Sequence, residues 1–186
     1  MLILSESDDF IKKDSILSIW GSSSRGLGWA IFREEGKLES VGFVSPFAVG
    51  AKESLNRDEV HTKMCRVWEE KKGYHCRPKT LCLDAAGESA FEKGFLMGMF
   101  RNHFKPRKFV CLTKEEREIQ MQHFFDKKTI LDAIGGCSRN VLKKYLAYIS
   151  RILHPSIYKA VALGFFATPK YKKVEATLKE QQALAA

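Results

Sequence analysis

The feature that most constrains the fold is a strand-turn-strand pattern near the start of the chain. Residues 15–32 read SILSIWGSSSRGLGWAIF, in which a Gly/Ser-rich turn separates two apolar runs. We predict two antiparallel strands, Ser15–Trp20 and Gly28–Arg33, and a tight turn at 34–37 that leads into a third strand, Leu38–Val44. An antiparallel half-sheet therefore begins the fold.

The rest of the chain alternates between helical and strand patterns. Apolar residues recur at close to i, i+4, i+7 between Leu55 and Lys72, which indicates an amphipathic helix lying on a sheet. Short apolar runs at Lys79–Asp84 and Pro106–Leu112 predict two further strands. The other predicted helices are Ala85–Phe104, Thr113–Gln122, Asp126–Ile134, Asn140–Leu153 and Pro155–Phe166. This order predicts an α/β fold: a mixed sheet, with three antiparallel strands followed by parallel strands, flanked by helices on both sides.

Details of the segment 85–104 predict how it packs. Gly94 and Gly98 are four residues apart and would permit close packing of a helix on the sheet, although glycine lowers helix propensity by about 1 kcal/mol. The aromatic residues of this segment, Phe91, Phe95, Phe100 and Phe104, are expected mostly in the core.

The length and composition fit one globular domain. With 186 residues, the chain can bury a proper core. We divide it into an N-terminal lead-in at 1–14, one folded domain at 15–169 and a basic-polar C-terminal tail at 170–186. No window approaches the roughly 18 consecutive apolar residues of a membrane span, so we expect no membrane partner.

The charge and the cysteines both indicate the kind of environment in which the protein works. Lys and Arg number 31 against 22 Asp and Glu, a net charge of +9, which favours polyanionic partners such as nucleic acid. The five cysteines are odd in number and scattered, without a C-x-x-C pair, which is typical of free thiols in a reducing compartment. We expect an intracellular protein, cytoplasmic or organellar, with the mitochondrial matrix as one option.

Basic residues that could contact phosphate are concentrated in short segments. A single run of this kind is usually a solvated face, whereas several together favour a phosphate-binding surface whose affinity falls steeply with salt. The turn Ser22–Gly26 could cradle phosphate through backbone N–H groups, but such a turn is more often a plain hairpin. The predicted nucleic-acid-binding residues are Arg25, Arg101, Lys105, Arg107, Lys108, Lys127, Lys128, Arg139, Lys143, Lys144, Lys170, Lys172 and Lys173.

Four stretches of the sequence resemble the RuvC-type Holliday-junction resolvases of the RNase H-like superfamily, especially their compact phage and organellar members. SSSRGLGWAIF at 22–32, with GKLESVG at 36–42, resembles the opening hairpin of the family. LCLDAAGESAFEKGFLMG at 81–98 resembles the second motif, in which an acid closes a strand before the long central helix. The segments at 109–134 and 156–168 resemble the strand and loop near the substrate and the last helix. The resemblance implies an RNase H-like fold and a nucleic-acid partner.

The chemistry of that family depends on four acids. They hold two divalent cations about 4 Å apart, which activate the water and stabilise the leaving oxygen. The resemblance maps the first acid onto Gly21, or onto Trp20 if the turn is aligned differently, and the second onto Asp84. The paired acids of the last helix map onto Ser156 and Lys159. Three of the four carboxylates are therefore missing, and we expect Lys159 to pair with Asp84.

The missing carboxylates predict a catalytically inactive protein that holds no metal or other cofactor. The favoured function is binding of RNA or DNA mainly through contacts to its phosphates. The protein would then be an architectural subunit of a large ribonucleoprotein such as an organellar ribosome. One alternative is an active structure-selective endonuclease in which Glu88, Glu92 or Asp132 replaces the missing ligands. Another is a protein-interaction subunit that pairs with an active resolvase or with a second copy of itself.

Overall fold

The structure is a computed structural model that describes residues 15–33, 36–48, 54–74, 76–84, 90–112 and 155–168, together with Ala183. The strands are β1 Ser15–Ser22, β2 Gly26–Arg33, β3 Leu38–Val44, β4 Thr80–Asp84 and β5 Lys108–Val110. The helices are α1 Arg57–Lys72, α2 Ala90–Phe104 and α3 Pro155–Phe166. All of these elements were predicted, with ends that differ by a few residues. The predicted helices between 113 and 153, the lead-in at 1–14 and the tail from 170 lie outside the described residues.

The strands form one five-stranded sheet in the order β3-β2-β1-β4-β5. The first three strands are antiparallel neighbours, and β4 and β5 extend the sheet in parallel to β1. The opening hairpin is longer than predicted, because pairing continues to Ser22 opposite Gly26. The predicted mixed sheet, antiparallel and then parallel, is confirmed.

Helices cover both faces of the sheet, as predicted. Successive side chains of a strand point to opposite faces, and in β1 this places Leu17 and Ile19 in the core under α1 and α2. Ile16 and Trp20 belong to the core under α3. Both cores are apolar and buried, so the sheet is the middle layer of three.

Helix α1 begins two residues later than predicted because of a capping box. The Asn56 Oδ1 accepts a hydrogen bond from the Glu59 backbone N–H at 2.9 Å, and the Glu59 side chain accepts one from the Asn56 N–H at 2.7 Å. These bonds satisfy backbone donors that the first turn of a helix otherwise leaves without partners. Leu55 therefore lies before the helix.

One expectation about α2 is wrong, and the expectation that its aromatic residues lie mostly in the core has a clear exception. Gly94 and Gly98 are exposed, and a Cβ on either would meet no atom of the described residues within 4 Å, so within this part of the chain they do not mediate close packing. Phe91 is 72% exposed, although Phe100 and Phe104 are buried as expected. At about 100° per residue, Phe91 lies roughly 180° around the helix from Phe100. It therefore belongs to the opposite side of α2 from the buried pair.

One edge of the sheet collects the features that matter for function. Parallel strands end at the same edge, and β1 and β4 are parallel, with Trp20 beside Asp84. Helix α3 also begins there, since the carbonyl of Ser156 would lie 2.1 Å from a Cβ on Gly28, and Gly28 is the partner of Trp20 in β2. We call this edge, with the C-terminal ends of β1 and β4, the β1–β2 turn and the first turns of α2 and α3, the carboxyl edge.

No described helix is long and apolar enough to cross a membrane.

Candidate functional site at the carboxyl edge

Trp20 and Asp84 are next to each other at the centre of the carboxyl edge. They are register partners in the parallel pair β1–β4, and Asp84 is the last residue of its strand. Trp20 is 7% exposed and Asp84 is completely buried. The resemblance maps the family's first acid onto Gly21 or Trp20. At Trp20 an indole therefore stands in place of that acid, next to the remaining carboxylate of Asp84.

The carboxylate of Asp84 forms a salt bridge with Lys93. The Lys93 Nζ lies 3.4 Å from the Asp84 Oδ1 and 3.3 Å from the backbone carbonyl oxygen of Leu112. Lys93 belongs to the first turn of α2, which places its side chain above the end of β4. The predicted pairing of Lys159 with Asp84 is not found: among the described residues, the salt bridge of this carboxylate is with Lys93 of α2, and Lys159 of α3 lies over Trp20.

The ammonium of Lys159 contacts Trp20. Its Nζ lies 5.2 Å from the centroid of the Trp20 ring, a distance at which a cation is attracted by an indole face. Ser156 lies one turn earlier in α3 and is buried. The structure therefore brings Trp20, Asp84, Ser156 and Lys159 to one edge, as the resemblance implied, with a different set of contacts.

The backbone at Gly21 leaves no room for an acidic side chain. Gly21 has a φ of +135°, a conformation that residues with a side chain rarely adopt. A Cβ at this position would lie 2.2 Å from the carbonyl oxygen of Gly26 across the hairpin. An aspartate cannot be accommodated at Gly21 without rebuilding the turn.

The described residues do not fit the two-metal centre that the resemblance implies. Nowhere in the described ranges do three or more His, Cys, Asp or Glu side chains form a group that could hold a metal ion. Asp84 already has an ammonium as its counter-ion. The replacement acids proposed from the sequence, Glu88, the Glu92 side chain and Asp132, lie outside the described residues.

Arg25 is the predicted phosphate-contacting residue that the structure places at the carboxyl edge. It is exposed in the turn between β1 and β2, and its backbone N–H donates to the Ser22 Oγ at 3.1 Å. Ser22 and Ser24 also share a hydrogen bond of 3.1 Å between their hydroxyls. The turn thus uses this N–H group internally, as a hairpin turn does, and its exposed charge is the arginine side chain.

Four other predicted basic residues lie at the opposite edge. Lys108 begins β5 and is the register partner of Thr80, the first residue of β4, and Asp84 lies about 13 Å further along that strand. Arg101 and Lys105 are at the end of α2, and Arg107 leads into β5. All four are exposed, so they could bind phosphate, but on a different surface from Arg25 and Lys159. The remaining predicted residues lie outside the described residues: Lys127, Lys128, Arg139, Lys143, Lys144, Lys170, Lys172 and Lys173.

The sequence analysis did not predict two contacts near this edge, one made by Lys93 and one made by Arg57. Lys93 was not singled out, although a lysine in the first turn of the helix that follows a strand-end acid is a usable signal for such a pair. The guanidinium of Arg57 lies 5.9 Å and 5.7 Å from the ring centroids of Phe91 and Phe95. No sequence spacing links these residues, because the start of α1 and the start of α2 meet only in the folded chain.

Comparison with known proteins identifies the fold. No family model matches the chain, and no curated protein matches it. Among solved structures, the chain is similar to T. thermophilus RuvC in complex with Holliday junction substrate, with a TM-score of 0.53 and 13% sequence identity. The match covers 86% of this chain and 96% of that chain. The fold is RuvC-like and RNase H-like, which confirms the fold implied by the sequence resemblance.

Proposed function

We propose that this chain is a catalytically inactive RuvC-like domain that binds nucleic acid through its phosphates. The observation that carries the proposal is the pair Trp20–Asp84 at the centre of the carboxyl edge. An indole occupies one position, and the carboxylate at the other is neutralised by Lys93.

Metal-dependent cleavage needs several carboxylates, and the described residues of this edge supply one. Two divalent cations must be stripped of part of their water shells, and several carboxylates offset that cost. Here one buried carboxylate faces an ammonium, and Lys159 adds a second positive charge over the neighbouring indole. Both ammonium groups repel a metal ion, so the edge is suited to an anion rather than to a cation.

The binding half of the proposal rests on charge and on fold. The net charge of +9 favours a polyanion. The similar structure is that of a protein bound to a Holliday junction substrate, and Arg25 and Lys159 lie at the carboxyl edge of the same kind of sheet. Contacts of this type position a nucleic acid without reading its sequence. An architectural place in a ribonucleoprotein, such as an organellar ribosome, would suit such a domain.

The test of activity and binding is a comparison of nucleic-acid ligands. Labelled four-way junction, linear duplex and structured RNA are mixed with the protein in Mg²⁺ or Mn²⁺, and each mixture is run on native and denaturing gels. Shifted bands without cleavage are expected. Symmetric, metal-dependent nicks would contradict the proposal and favour the endonuclease. Absence of any shift, with salt-insensitive binding of a protein partner, would favour a protein-interaction subunit.

A matched pair of arginines locates the binding surface. Arg25→Ala removes an exposed charge at the carboxyl edge, and Arg107→Ala removes one at the opposite edge. If the carboxyl edge binds phosphate, Arg25→Ala should weaken binding and lower the slope of log K against log salt by about 1, with Arg107→Ala near wild type. The reverse pattern would move the surface to the basic group near β5.

A further inference from the structure

The fold implies a divalent-metal centre at the carboxyl edge, and the residues present disagree with it. In the described part of the chain Asp84 is the carboxylate at the end of β4, with Trp20 in place of an acid on the adjacent strand. An isolated carboxylate is strongly disfavoured away from water, and a cation within ion-pair distance offsets that cost. The question is therefore which cation performs this task.

Lys93 meets the requirements of that cation. Its ammonium lies 3.4 Å from the Asp84 Oδ1, and its side chain is 24% exposed, against 0% for the aspartate. The same ammonium lies 3.3 Å from the carbonyl oxygen of Leu112. An ammonium has three N–H donors, so a single group can contact the end of β4 and the segment after β5 at the same time.

Those two contacts reproduce what a structural metal ion does. A bound cation neutralises charge and holds together chain segments that are distant in sequence. Lys93 neutralises Asp84 and connects α2 to two parallel neighbours in the sheet, β4 through its last residue and β5 through Leu112, two residues after the strand. A lysine differs from a metal ion in being supplied by the chain, so the arrangement forms without any ion from solution.

We propose that Lys93 is a resident cation that replaces the divalent metal at Asp84 and makes this edge of the fold independent of metal. The proposal concerns the protein without ligand and does not depend on nucleic-acid binding. It also assigns Asp84 a structural role, as the anchor of α2 and the β4–β5 end of the sheet.

The test is thermal unfolding of the full chain in EDTA and in excess Mn²⁺. The wild-type Tm should be the same in both. Lys93→Met keeps the apolar stem and removes the charge, and it should lower the Tm by roughly 5–10 °C because the buried aspartate loses its counter-ion. Lys37→Met, at an exposed lysine in the turn between β2 and β3, is the matched control and should leave the Tm unchanged.

A double-mutant cycle separates the pair from its surroundings. Asp84→Asn alone should also lower the Tm. The double variant, Lys93→Met with Asp84→Asn, should lose clearly less stability than the sum of the two single losses, because each single variant already removes the same ion pair. Additive losses would overturn the proposal.

A direct metal titration keeps the proposal testable if the variants do not fold. Mn²⁺ is added to the wild-type protein, and free Mn²⁺ is followed by its paramagnetic resonance signal. No saturable binding in the submillimolar range is expected. Saturable binding that raises the wild-type Tm would show that a metal, and not Lys93, neutralises Asp84. That result would leave the question of nucleic-acid binding to the separate gel experiment.

Discussion

At the scale of single residues, the chemistry of the carboxyl edge depends on backbone space as much as on side chains. Trp20 occupies its position through ordinary strand geometry, whereas Gly21 is confined by a positive φ and by the Gly26 carbonyl oxygen 2.2 Å from its missing Cβ. An acid would therefore be tolerated differently at the two positions onto which the family's first acid maps. The backbone has room for a side chain at Trp20 and has none at Gly21.

Gly21→Asp should destabilise the protein without creating a metal site. The strained φ and the clash across the hairpin together predict a loss of about 2 kcal/mol or more in the free energy of unfolding. Urea denaturation measures this loss, and Ser24→Asp, at an exposed residue of the same turn, is the control and should stay within about 0.5 kcal/mol of wild type. Equal stability of the two variants would contradict the clash.

At the scale of elements, helix α3 packs more closely on the sheet at Gly28 than helix α2 packs on its surroundings at Gly98. Helix α3 approaches β2 so closely that the Ser156 carbonyl oxygen occupies the place of a Cβ on Gly28, while Gly98 on α2 faces open space. The same substitution should therefore have opposite effects on the two elements.

Gly28→Ala should destabilise the protein, and Gly98→Ala should stabilise it. At Gly28 the added methyl group must displace the start of α3, with a loss of roughly 1–3 kcal/mol, typical of overpacking. At Gly98 it adds helix propensity worth about 0.5–1 kcal/mol. Chemical denaturation of both variants checks the signs, and a neutral Gly28→Ala would mean that α3 does not pack as closely as described.

The contact between α1 and α2 contains a titratable residue. The ring of His61 lies 4.7 Å from the ring of Phe100 and 5.7 Å from that of His103, between centroids, and its Nε2 lies 3.5 Å from the Cys65 Sγ. Burial, and then the charge of His103, lower the pKa of His61 below its ordinary 6.5. The folded protein therefore resists protonation of this residue.

This residue should make stability depend on pH. Below pH 6.5 the unfolded chain takes up a proton that the folded chain does not, so the free energy of unfolding should fall as the pH drops through that value toward the lowered pKa, and should level off above it. Urea unfolding in pH steps measures the slope. His61→Gln should flatten the slope in this window. An unchanged slope in that variant would assign the effect to another group.

At the scale of the whole molecule, two apolar layers enclose the central sheet and protect its thiols. Cys65, Cys76, Cys82 and Cys111 are all free in the described part of the chain, in agreement with the sequence expectation for these four. Burial raises the pKa of both Cys65 and Cys82 to about 12. Cys82 lies in the core under α3, and Cys65 lies in the core under α1 and α2.

Cys65 and Cys82 should report on the unfolding of the two layers. The reactive species is the thiolate, which is scarce at neutral pH for such groups. Neither should be alkylated by iodoacetamide in the native protein, and both should be alkylated in urea, as measured by peptide mass spectrometry. The partly buried Cys76 is the internal comparison. Native labelling of Cys82 alone would mean that the α3 layer opens independently of the other.

The sequence predicted much of the fold because the relevant signals are local. Alternating apolar runs and turn residues identified β1 to β5, and the helix Pro155–Phe166 was predicted with the ends that the structure has. The end of α1 at Lys72 was also predicted, from the apolar spacing that stops there. The side of α2 that faces solvent was predicted less well, because its phenylalanines lie on opposite sides of the helix. Phe91 and Phe100 are about 180° apart, and residue type alone does not say which side packs on the sheet.

The sequence by itself determined the fold class and the absence of an acid at Trp20, Gly21, Ser156 and Lys159, because both follow from residue types and their order. Only the tertiary structure decided that Lys93 forms a salt bridge with Asp84 while Lys159 lies over Trp20, and that Arg25 and Arg107 lie at opposite edges. The physical reason is that an ion pair and a binding surface depend on distances between elements. Those distances are set by strand register and helix packing, which no local pattern specifies.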